Sequence, residues 1–447
     1  MHPWQAQIVS KLILPIVIAG LGLSTARAES SKVEATYTLS DIPLSSFLQA
    51  QLGISVADHG IKLGGIGSDL WHGPGDGPGV YWMITDRGPN GDNPRTFPVP
   101  DFTPFIMKVT ANEGSLSILQ AIPITGLGNS ANGVTGLPNS LPPRDEESFD
   151  CSGTIQLTPN PHGLDTEGIV HTREGDFWIV EEYGPSILKV DSHGKVLKRF
   201  LPKDVNLGIT DYAVDNSSLS IPSIFGDKRK INRGFEGIAI SPDENSLYVV
   251  LQSPLSNPTS TIGNPSRNPR ILQFDIRTEQ VVGEYVYRFQ PAAEFNVPGN
   301  VARPQDMKVS GLVMLDQRRM LVLERTDFVA KVYLVDVKAA TNVLGSKWDD
   351  ISTSPSLEGI NTDSALEEDG VRILPKELVA ILDSTDPNAH IPEKIEGLSV
   401  LDGKAIVIAN DNDLGVGTFT DLMGSCTLVD TGKKSQLLVI RLDHPLK

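Results

Sequence analysis

Acidic residues stand at both ends of one stretch of the sequence, DTEGIVHTREGDFWIVEEYGP at residues 165–185. Asp165 and Glu167 open this stretch, a Gly-containing turn divides it, and Glu181 and Glu182 follow its second apolar run. Because the strands of a hairpin are antiparallel, the start of the first strand lies beside the end of the second. The spacing therefore predicts that these carboxylates meet at one end of the hairpin.

The same plan recurs along the chain. Further Glu-Gly or Ser-Gly openings begin at Glu236, Ser310 and Glu396, and a looser copy begins at Gly67. Each opening is followed by turn residues, an apolar strand and a polar end, so each copy brings further side chains to the same place. These side chains are Asp86, Arg87, Gln252, Glu324, Arg325, Asn410, Asp411 and Asp413.

A hairpin followed by two more turn-bounded strands, repeated along a chain, is typical of propeller blades. We predict an all-β fold, a single β-propeller of five four-stranded blades, or six if one insertion contains a degenerate unit. A strand within residues 34–44 is predicted to complete the last blade and close the ring. Two stacked β-sandwich domains are the competing fold, but they give no reason for the repeated Glu-Gly opening.

Loop insertions are predicted at residues 126–163, 206–234 and 346–394. The last contains PKELVAILD, in which Pro375 marks a helix start. The only two cysteines, Cys151 and Cys426, can form a disulfide in an oxidising compartment or remain buried thiols. Closure of the ring would bring them together.

Residues 1–28 are predicted to be a secretory signal peptide, since Lys11 precedes an apolar run and Ala26-Arg27-Ala28 provides a small-x-small cleavage site. A retained anchor is the alternative. Residues 29–447 then form one exported domain, periplasmic or extracellular, without a membrane span. The net charge of −17 disfavours nucleic acid as a partner and favours cations.

Crowded carboxylates repel one another and need a cation, an arginine or a proton as compensation. Oxygen ligands favour Ca²⁺, and less strongly Mg²⁺, over zinc. The predicted metal ligands are Asp86, Glu167, Glu236, Glu324, Glu396 and Asp411. The predicted catalytic groups are Glu181, Glu182 and His162, and the predicted substrate-binding groups are Arg87 and Arg325. The alternative for the Glu-Gly residues is structural, because Gly permits close backbone approach and Glu can fasten neighbouring blades.

The ordered set GSDL, ITDRGPNG, GLDTEGI, WIVEEYGP, GFEGIAI, YVVLQSPL, VLERT, IEGL and IANDND resembles the phytase-like, or esterase-like phytase, family over essentially the mature chain. The resemblance implies a secreted β-propeller that hydrolyses a phosphoester or ester of a small-molecule substrate. The β-propeller phytases are similar in architecture and use calcium, but their motifs are not evident here, so no site residue is carried over. A non-catalytic propeller that binds a cation or ligand, and a metal-dependent lactonase, remain open.

Overall fold

The computed structural model describes residues 32–91, 95–126, 133–140, 144–419, 426 and 428–446. The predicted signal peptide lies outside these residues. Most regular structure in the described part is β-strand, in agreement with the all-β prediction. Within the same ranges, no helix has both the length and the apolar character needed to cross a bilayer.

The largest sheet has eight strands and contains both the first and the last strand of the described chain. In their side-by-side order the strands are β19 (Ile395–Asp402), β20 (Ala405–Asn410), β23 (Gln436–Arg441), β1 (Lys32–Leu39), β5 (Ser115–Pro123), β4 (Phe105–Asn112), β3 (Val80–Ile84) and β2 (Asp69–Trp71). Strand β1 pairs antiparallel with β23 and parallel with β5. The strand predicted near the mature N-terminus is therefore present, and it joins the two halves of this sheet.

Three further sheets follow the repeat, and a two-stranded ribbon lies near the C-terminus. The first sheet contains β6 (Thr166–His171), β7 (Phe177–Glu181), β8 (Ser186–Val190), β9 (Val196–Phe200) and β10 (Ala213–Asp215). The second contains β11 (Phe235–Ile240), β12 (Ser246–Leu251), β13 (Arg270–Asp275) and β14 (Gln280–Val286). The third contains β15 (Lys308–Met314), β16 (Arg319–Arg325), β17 (Val329–Asp336) and β18 (Lys376–Asp383), and the ribbon contains β21 (Val416–Phe419) and β22 (Leu428–Asp430).

Strands β2, β6, β11, β15 and β19, called the inner strands below, contact one another in circular order. β2 contacts β6, β6 contacts β11, β11 contacts β15, β15 contacts β19, and β19 contacts β2. Apolar side chains fill the space between neighbouring sheets. Trp178, Phe200 and Phe274, for example, belong to one buried cluster formed by the sheets that contain β6 and β11. Burial of such side chains, worth about 1.5–3 kcal/mol each for the large apolar residues, holds adjacent sheets together.

The Glu-Gly repeat corresponds to a β-bulge in the inner strands. Pairing registers shift at Glu167 in β6, at Glu236 in β11, at Ser310 in β15 and at Glu396 in β19. A bulged residue is left out of the ladder, and the bulge re-aims its side chain. The following Gly has a packing role, because a Cβ added at Gly237 would lie 2.3 Å from the carbonyl oxygen of the next inner strand. The close-approach explanation for this glycine is thus confirmed.

The prediction of a helix beginning at Pro375 is wrong. Residues 376–383 form β18, which pairs antiparallel with β17. Ala380 and Leu382 are buried while Val379, Ile381 and Asp383 are partly exposed, and this two-residue alternation is the strand period that the sequence analysis overlooked.

Four short α-helices are present in the described residues: α1 (Leu44–Leu52), α2 (Ser223–Lys228), α3 (Ser260–Gly263) and α4 (Asp363–Glu368). The sequence reading missed α1. Its buried residues Leu44, Phe47 and Leu48 have helical spacing, and Gly53 ends it in the left-handed conformation with φ of 69°.

Cys151 and Cys426 form a disulfide, with their Cα atoms 5.4 Å apart and a sequence separation of 275. The expected approach of these two residues is therefore confirmed. The bond fastens the segment between β5 and β6 to the segment between β21 and β22, so it links distant parts of the chain.

Candidate functional site

A cavity of about 450 Å³, called the central pocket, lies where the bulged residues of the inner strands converge. Its walls are strongly charged. The carboxylates that line it are Asp86, Asp165, Glu167, Glu182, Glu236, Asp327, Glu396, Asp411 and Asp413. The cationic side chains that line it are Arg87, Arg95, Arg233, Lys308 and Lys394.

Asp165, Glu167 and Glu182 form the acidic triad, in which one oxygen from each side chain lies within 4.8 Å of the other two. Asp165 directly precedes β6, Glu167 is the bulged residue of β6, and Glu182 directly follows β7. The antiparallel pairing of β6 with β7 brings these positions together, as the sequence predicted. All three side chains are buried, and Glu182 Oε1 has no hydrogen-bond partner among the described residues.

The electrostatic environment disfavours full ionisation of this region. Burial, followed by repulsion from Asp165 and Glu236, raises the pKa of Glu182 well above its usual range. The pKa of Glu167 is also raised well above its usual range, first by burial and then by the charges of Glu236 and Asp165. The pKa of Asp86 is also raised well above normal, first by burial and then by Asp411 and Asp165. Bound protons or a bound cation must therefore compensate these carboxylates.

Glu181 and Glu324 do not line the central pocket, contrary to the sequence expectation. Glu181 is fully buried between strands, where it accepts hydrogen bonds from Ser186 Oγ at 2.7 Å and Arg199 Nη2 at 2.6 Å. Glu324 is equally buried and accepts from Tyr287 Oη and Lys376 Nζ, each at 2.7 Å. Successive residues of a strand face opposite sides of the sheet, so a residue at the end of a strand and its neighbour can lie in different surroundings.

His162 and Arg325 also lie away from the pocket walls. The His162 ring packs on Tyr212, its Nε2 lies 3.6 Å from Asp211 Oδ1, and burial lowers its pKa. Arg325 is fully buried. Its Nε donates to Ser310 Oγ at 2.7 Å, and its Nη2 contacts Glu396. The structure thus places neither residue on the wall of the central pocket.

Glu236 and Glu396 line the pocket but have cationic or amide partners. Arg325 Nη2 lies 3.7 Å from Glu236 and contacts Glu396, so it ties together the inner strands β11, β15 and β19. Gln252 Nε2 also donates to Glu236. Burial nevertheless raises the pKa of Glu396 to about 8. These two glutamates thus have the fastening role that was the structural alternative, while the acidic triad is less compensated.

Asp86, Asp411 and Arg87 lie where the sequence placed them, on the pocket wall. Asp411 is paired with Lys394 Nζ at 2.8 Å. Arg87 Nη1 is 3.1 Å from Asp165 Oδ2 and 2.7 Å from Glu146, so its guanidinium is already shared by carboxylates. The sequence reading missed Arg233, Lys308 and Lys394 among the cations.

A profile of the phytase-like family, described as esterase-like activity of phytase, matches residues 61–414. The chain belongs to the phytase-like family. The matched range includes every inner strand and all residues of the acidic triad. The family resemblance noted in the sequence is therefore confirmed.

Relatives of this phytase-like chain include an uncharacterized secreted protein of Arthroderma benhamiae, which is 30% identical over 278 residues. That alignment covers 52% of this chain and about half, 53%, of the relative. Among solved structures, a luciferin-regenerating enzyme has 10% identity and a TM-score of 0.34, with 87% of this chain and 83% of that chain covered. A calcium-binding protein, regucalcin, from Agrobacterium tumefaciens has 10% identity and a TM-score of 0.32, with 86% and 92% covered.

The acidic triad of this phytase-like protein has the donor chemistry of a hard-cation site. Its ligands are carboxylate oxygens, which suit Ca²⁺ and Mg²⁺, and a buried oxygen without a hydrogen-bond partner is available for coordination. Burial, and after it repulsion between carboxylates, raises the pKa values of Glu167 and Glu182, and a divalent cation at this position would offset that repulsion. The residues present therefore fit such an ion.

Proposed function

We propose that this phytase-like protein is an exported, cation-dependent hydrolase that cleaves a phosphoester or ester bond of a small molecule in the central pocket. The acidic triad is the observation that carries the proposal, because oxygens of its three side chains converge and Glu182 Oε1 is buried without a hydrogen-bond partner among the described residues. Membership of a family described by esterase-like activity supports hydrolysis. The secreted relative supports export, either to the periplasm or to the medium.

In this proposal Asp165, Glu167 and Glu182 would hold the cation, Ca²⁺ in preference to Mg²⁺, with Asp86 as a neighbouring carboxylate. Such an ion neutralises substrate charge and lowers the pKa of an attacking water. Arg87 orients the ligand set, since its backbone N donates to Asp165 Oδ1 at 3.1 Å and its Nη1 contacts Oδ2. Of the predicted catalytic groups in the described residues, Glu182 alone lines the pocket, so we propose that one of its oxygens holds the ion and the other accepts the proton of the attacking water.

We also propose that the fold is a five-bladed β-propeller closed by β1. The circular contacts of the five inner strands support this reading, as does the position of β1 beside β23. Each inner strand begins one set of hydrogen-bonded strands. The sets are β2 to β5, β6 to β10, β11 to β14, β15 to β18, and β19 with β20, β23 and β1. A sixth inner strand in an experimental structure would contradict the blade count.

Calcium binding by the mature protein, residues 29–447, tests the cation site directly. Isothermal titration after chelator treatment should show binding to the wild type and loss of binding in Glu167→Gln combined with Glu182→Gln. Glu174→Gln is the matched control, because Glu174 is an exposed residue in the turn at the other end of the same hairpin. It should bind calcium as the wild type does.

Hydrolysis of p-nitrophenyl phosphate and p-nitrophenyl acetate should then be measured with calcium and with chelator. We expect calcium-dependent release of p-nitrophenol by the wild type and the control, and loss of activity in the double variant. Hydrolysis that persists in chelator and in the double variant would overturn the proposed site. Calcium binding without hydrolysis of either substrate, or of a lactone tested in the same way, would identify a cation-binding propeller instead of an enzyme.

A further inference from the structure

Residues 341–374, called the lobe, form an insertion between β17 and β18. The lobe lies along β14, the edge strand of its sheet. Val343 N donates to Glu284 O at 2.8 Å, and Leu374 N donates to Val286 O at 3.0 Å. The lobe also has an apolar cluster of its own, which packs on Val286 and consists of Val343, Trp348, Leu357, Ile360, Leu366 and Val371. It is therefore a small separate unit that covers the free edge of β14.

One arginine beneath the lobe faces three carboxyl groups. Arg270 on β13 is fully buried, and its Nη1 donates to Glu284 Oε1 on β14 at 2.8 Å. The other two carboxyls belong to the lobe. Arg270 Nη2 donates to Glu358 Oε1 at 2.8 Å, and Arg270 Nη1 lies 3.6 Å from Asp349 Oδ1. Full ionisation would thus set three negative charges against one positive charge in the protein interior, at a high cost in free energy.

Two of these carboxyls contact each other across the boundary of the lobe. Glu284 and Asp349 are within hydrogen-bonding reach, while Glu284 Oε2 and Asp349 Oδ1 have no donor among the described residues. Neither carboxylate can donate when both are ionised, so their contact needs a proton. Burial raises the pKa of Glu284 to about 8, Arg270 opposes this shift, and Asp349 adds to it. The proton is therefore bound at neutral pH.

The other charged groups around the contact do not replace that proton. Within the described part of the chain, Arg270 is the only cation with a nitrogen within 4.0 Å of Glu284, Glu358 or Asp349. Lys347 of the lobe is paired at the surface with Asp369 at 2.7 Å. Lys230, from the segment before β11, interacts with Glu358 over a longer distance, and burial lowers the pKa of this lysine to about 8.

We propose that Glu284 and Asp349 share one proton that fastens the lobe to β14, and that loss of this proton at alkaline pH releases the lobe. In the released lobe both carboxyls are in water and lose their protons at ordinary pH values. The contribution of Glu284 to docking is therefore complete below about pH 4.5 and is lost as the pH rises through about 8. Release frees the carbonyl oxygens of Glu284 and Val286 at the edge of β14. The inference depends neither on the cation site nor on hydrolysis.

Amide hydrogen exchange of the mature protein at pH 6 and pH 9 tests the proposal. The measured quantity is the protection factor of the Val343 and Leu374 amides, which is the exchange rate of an unstructured peptide at the same pH divided by the observed rate. A carboxyl with a pKa of about 8 in the docked lobe and 4.5 in the released lobe weakens docking about 90-fold between these pH values. We expect the protection factors of the wild type to fall by that amount.

Three variants make the test specific. Glu284→Gln has the shape of the protonated carboxyl and can donate to Asp349, so its protection factors should be the same at pH 6 and pH 9. Asp349→Asn removes the second carboxyl and should give a smaller fall than the wild type. Glu367→Gln changes an exposed residue of α4 in the lobe, and this matched control should behave as the wild type does.

Equal protection of the wild type at both pH values would overturn the proposal. A fall in Glu284→Gln or in Asp349→Asn as large as that of the wild type would also overturn it. The amides of β16, a strand paired on both sides in the neighbouring sheet, should keep their protection and thereby show that the rest of the protein stays folded at pH 9. An equal loss of protection in β16 would assign the effect to the whole protein and overturn release of the lobe.

Discussion

Replacement of Glu182 by Gln should stabilise the protein in chelator, and calcium should then stabilise the variant much less than it stabilises the wild type. The oxygens of the acidic triad are at most 4.8 Å apart. Each ionised pair at that distance repels by about 3.5 kcal/mol at an effective dielectric of about 20. The substitution removes two of the three repulsions, and protonation has already relieved part of them in the wild type. We therefore expect a net gain of about 3 kcal/mol in the free energy of unfolding at pH 8.

The sign of the pH dependence follows from the raised pKa of Glu182. Its ordinary value is 4.5, and the folded state holds the proton to higher pH than the unfolded chain does. The contribution of Glu182 to the stability of the metal-free wild type should therefore be greatest below about pH 4.5. This contribution should be lost as the pH rises through the pKa of Glu182 in the folded state. The advantage of Glu182→Gln should shrink accordingly at pH 5.

Thermal unfolding in chelator and in millimolar calcium at pH 5 and pH 8 is the assay. For a mature chain of this size, 3 kcal/mol corresponds to a shift of about 3–4 °C in Tm. Calcium at 100 times its Kd should stabilise the wild type by about 2.7 kcal/mol and the variant by much less. The reasoning would be refuted if the variant had a lower Tm than the wild type in chelator at pH 8 and calcium left the Tm of the wild type unchanged.

Three further outcomes are expected. Calcium affinity should increase between pH 6 and pH 9, with a binding enthalpy that depends on the buffer, because Glu167 and Glu182, whose pKa values are raised, must release protons to bind the ion; a pH-independent affinity would contradict this. Glu181→Gln should lower the free energy of unfolding by about 3–5 kcal/mol, since it leaves Arg199 buried without its carboxylate, yet titration should show unchanged calcium affinity. The pair Cys151→Ser and Cys426→Ser should lower the free energy of unfolding by up to about 5 kcal/mol, measured by denaturant titration, because the bond closes a loop of 275 residues; unchanged stability would show that the unfolded chain is not restrained by it.

The hairpin geometry was sufficient to predict the acidic triad. Asp165 and Glu182 meet because β6 and β7 are antiparallel, and Glu167 joins them because a bulge re-aims its side chain. What the spacing left undetermined was the side on which each of two consecutive residues would lie. Glu181 and Glu182 are adjacent in sequence, yet Glu181 forms a buried ion pair with Arg199 and Glu182 lines the pocket.

The cationic residues of the central pocket and the last strand of the β15 sheet were missed for different reasons. Lys308 and Lys394 stand two residues before Ser310 and Glu396, so alignment of the repeats at that column would have found them. The strand at residues 376–383 was hidden by Pro375, which marks helix starts but also precedes strands. Its alternating burial depends on pairing with β17, a partner more than 40 residues away that local signals do not reveal.

Strand β1 lies between β23 and β5, with Lys32 opposite Arg441 and Leu39 opposite Leu116. One eight-residue segment therefore covers two strand edges that belong to opposite ends of the chain. A protein shortened to begin after Leu39 would leave both edges open to strand exchange, and β1 of an intact molecule could fill the gap. A synthetic peptide of residues 32–39 should bind in the same gap and so prevent strand exchange between shortened and intact molecules.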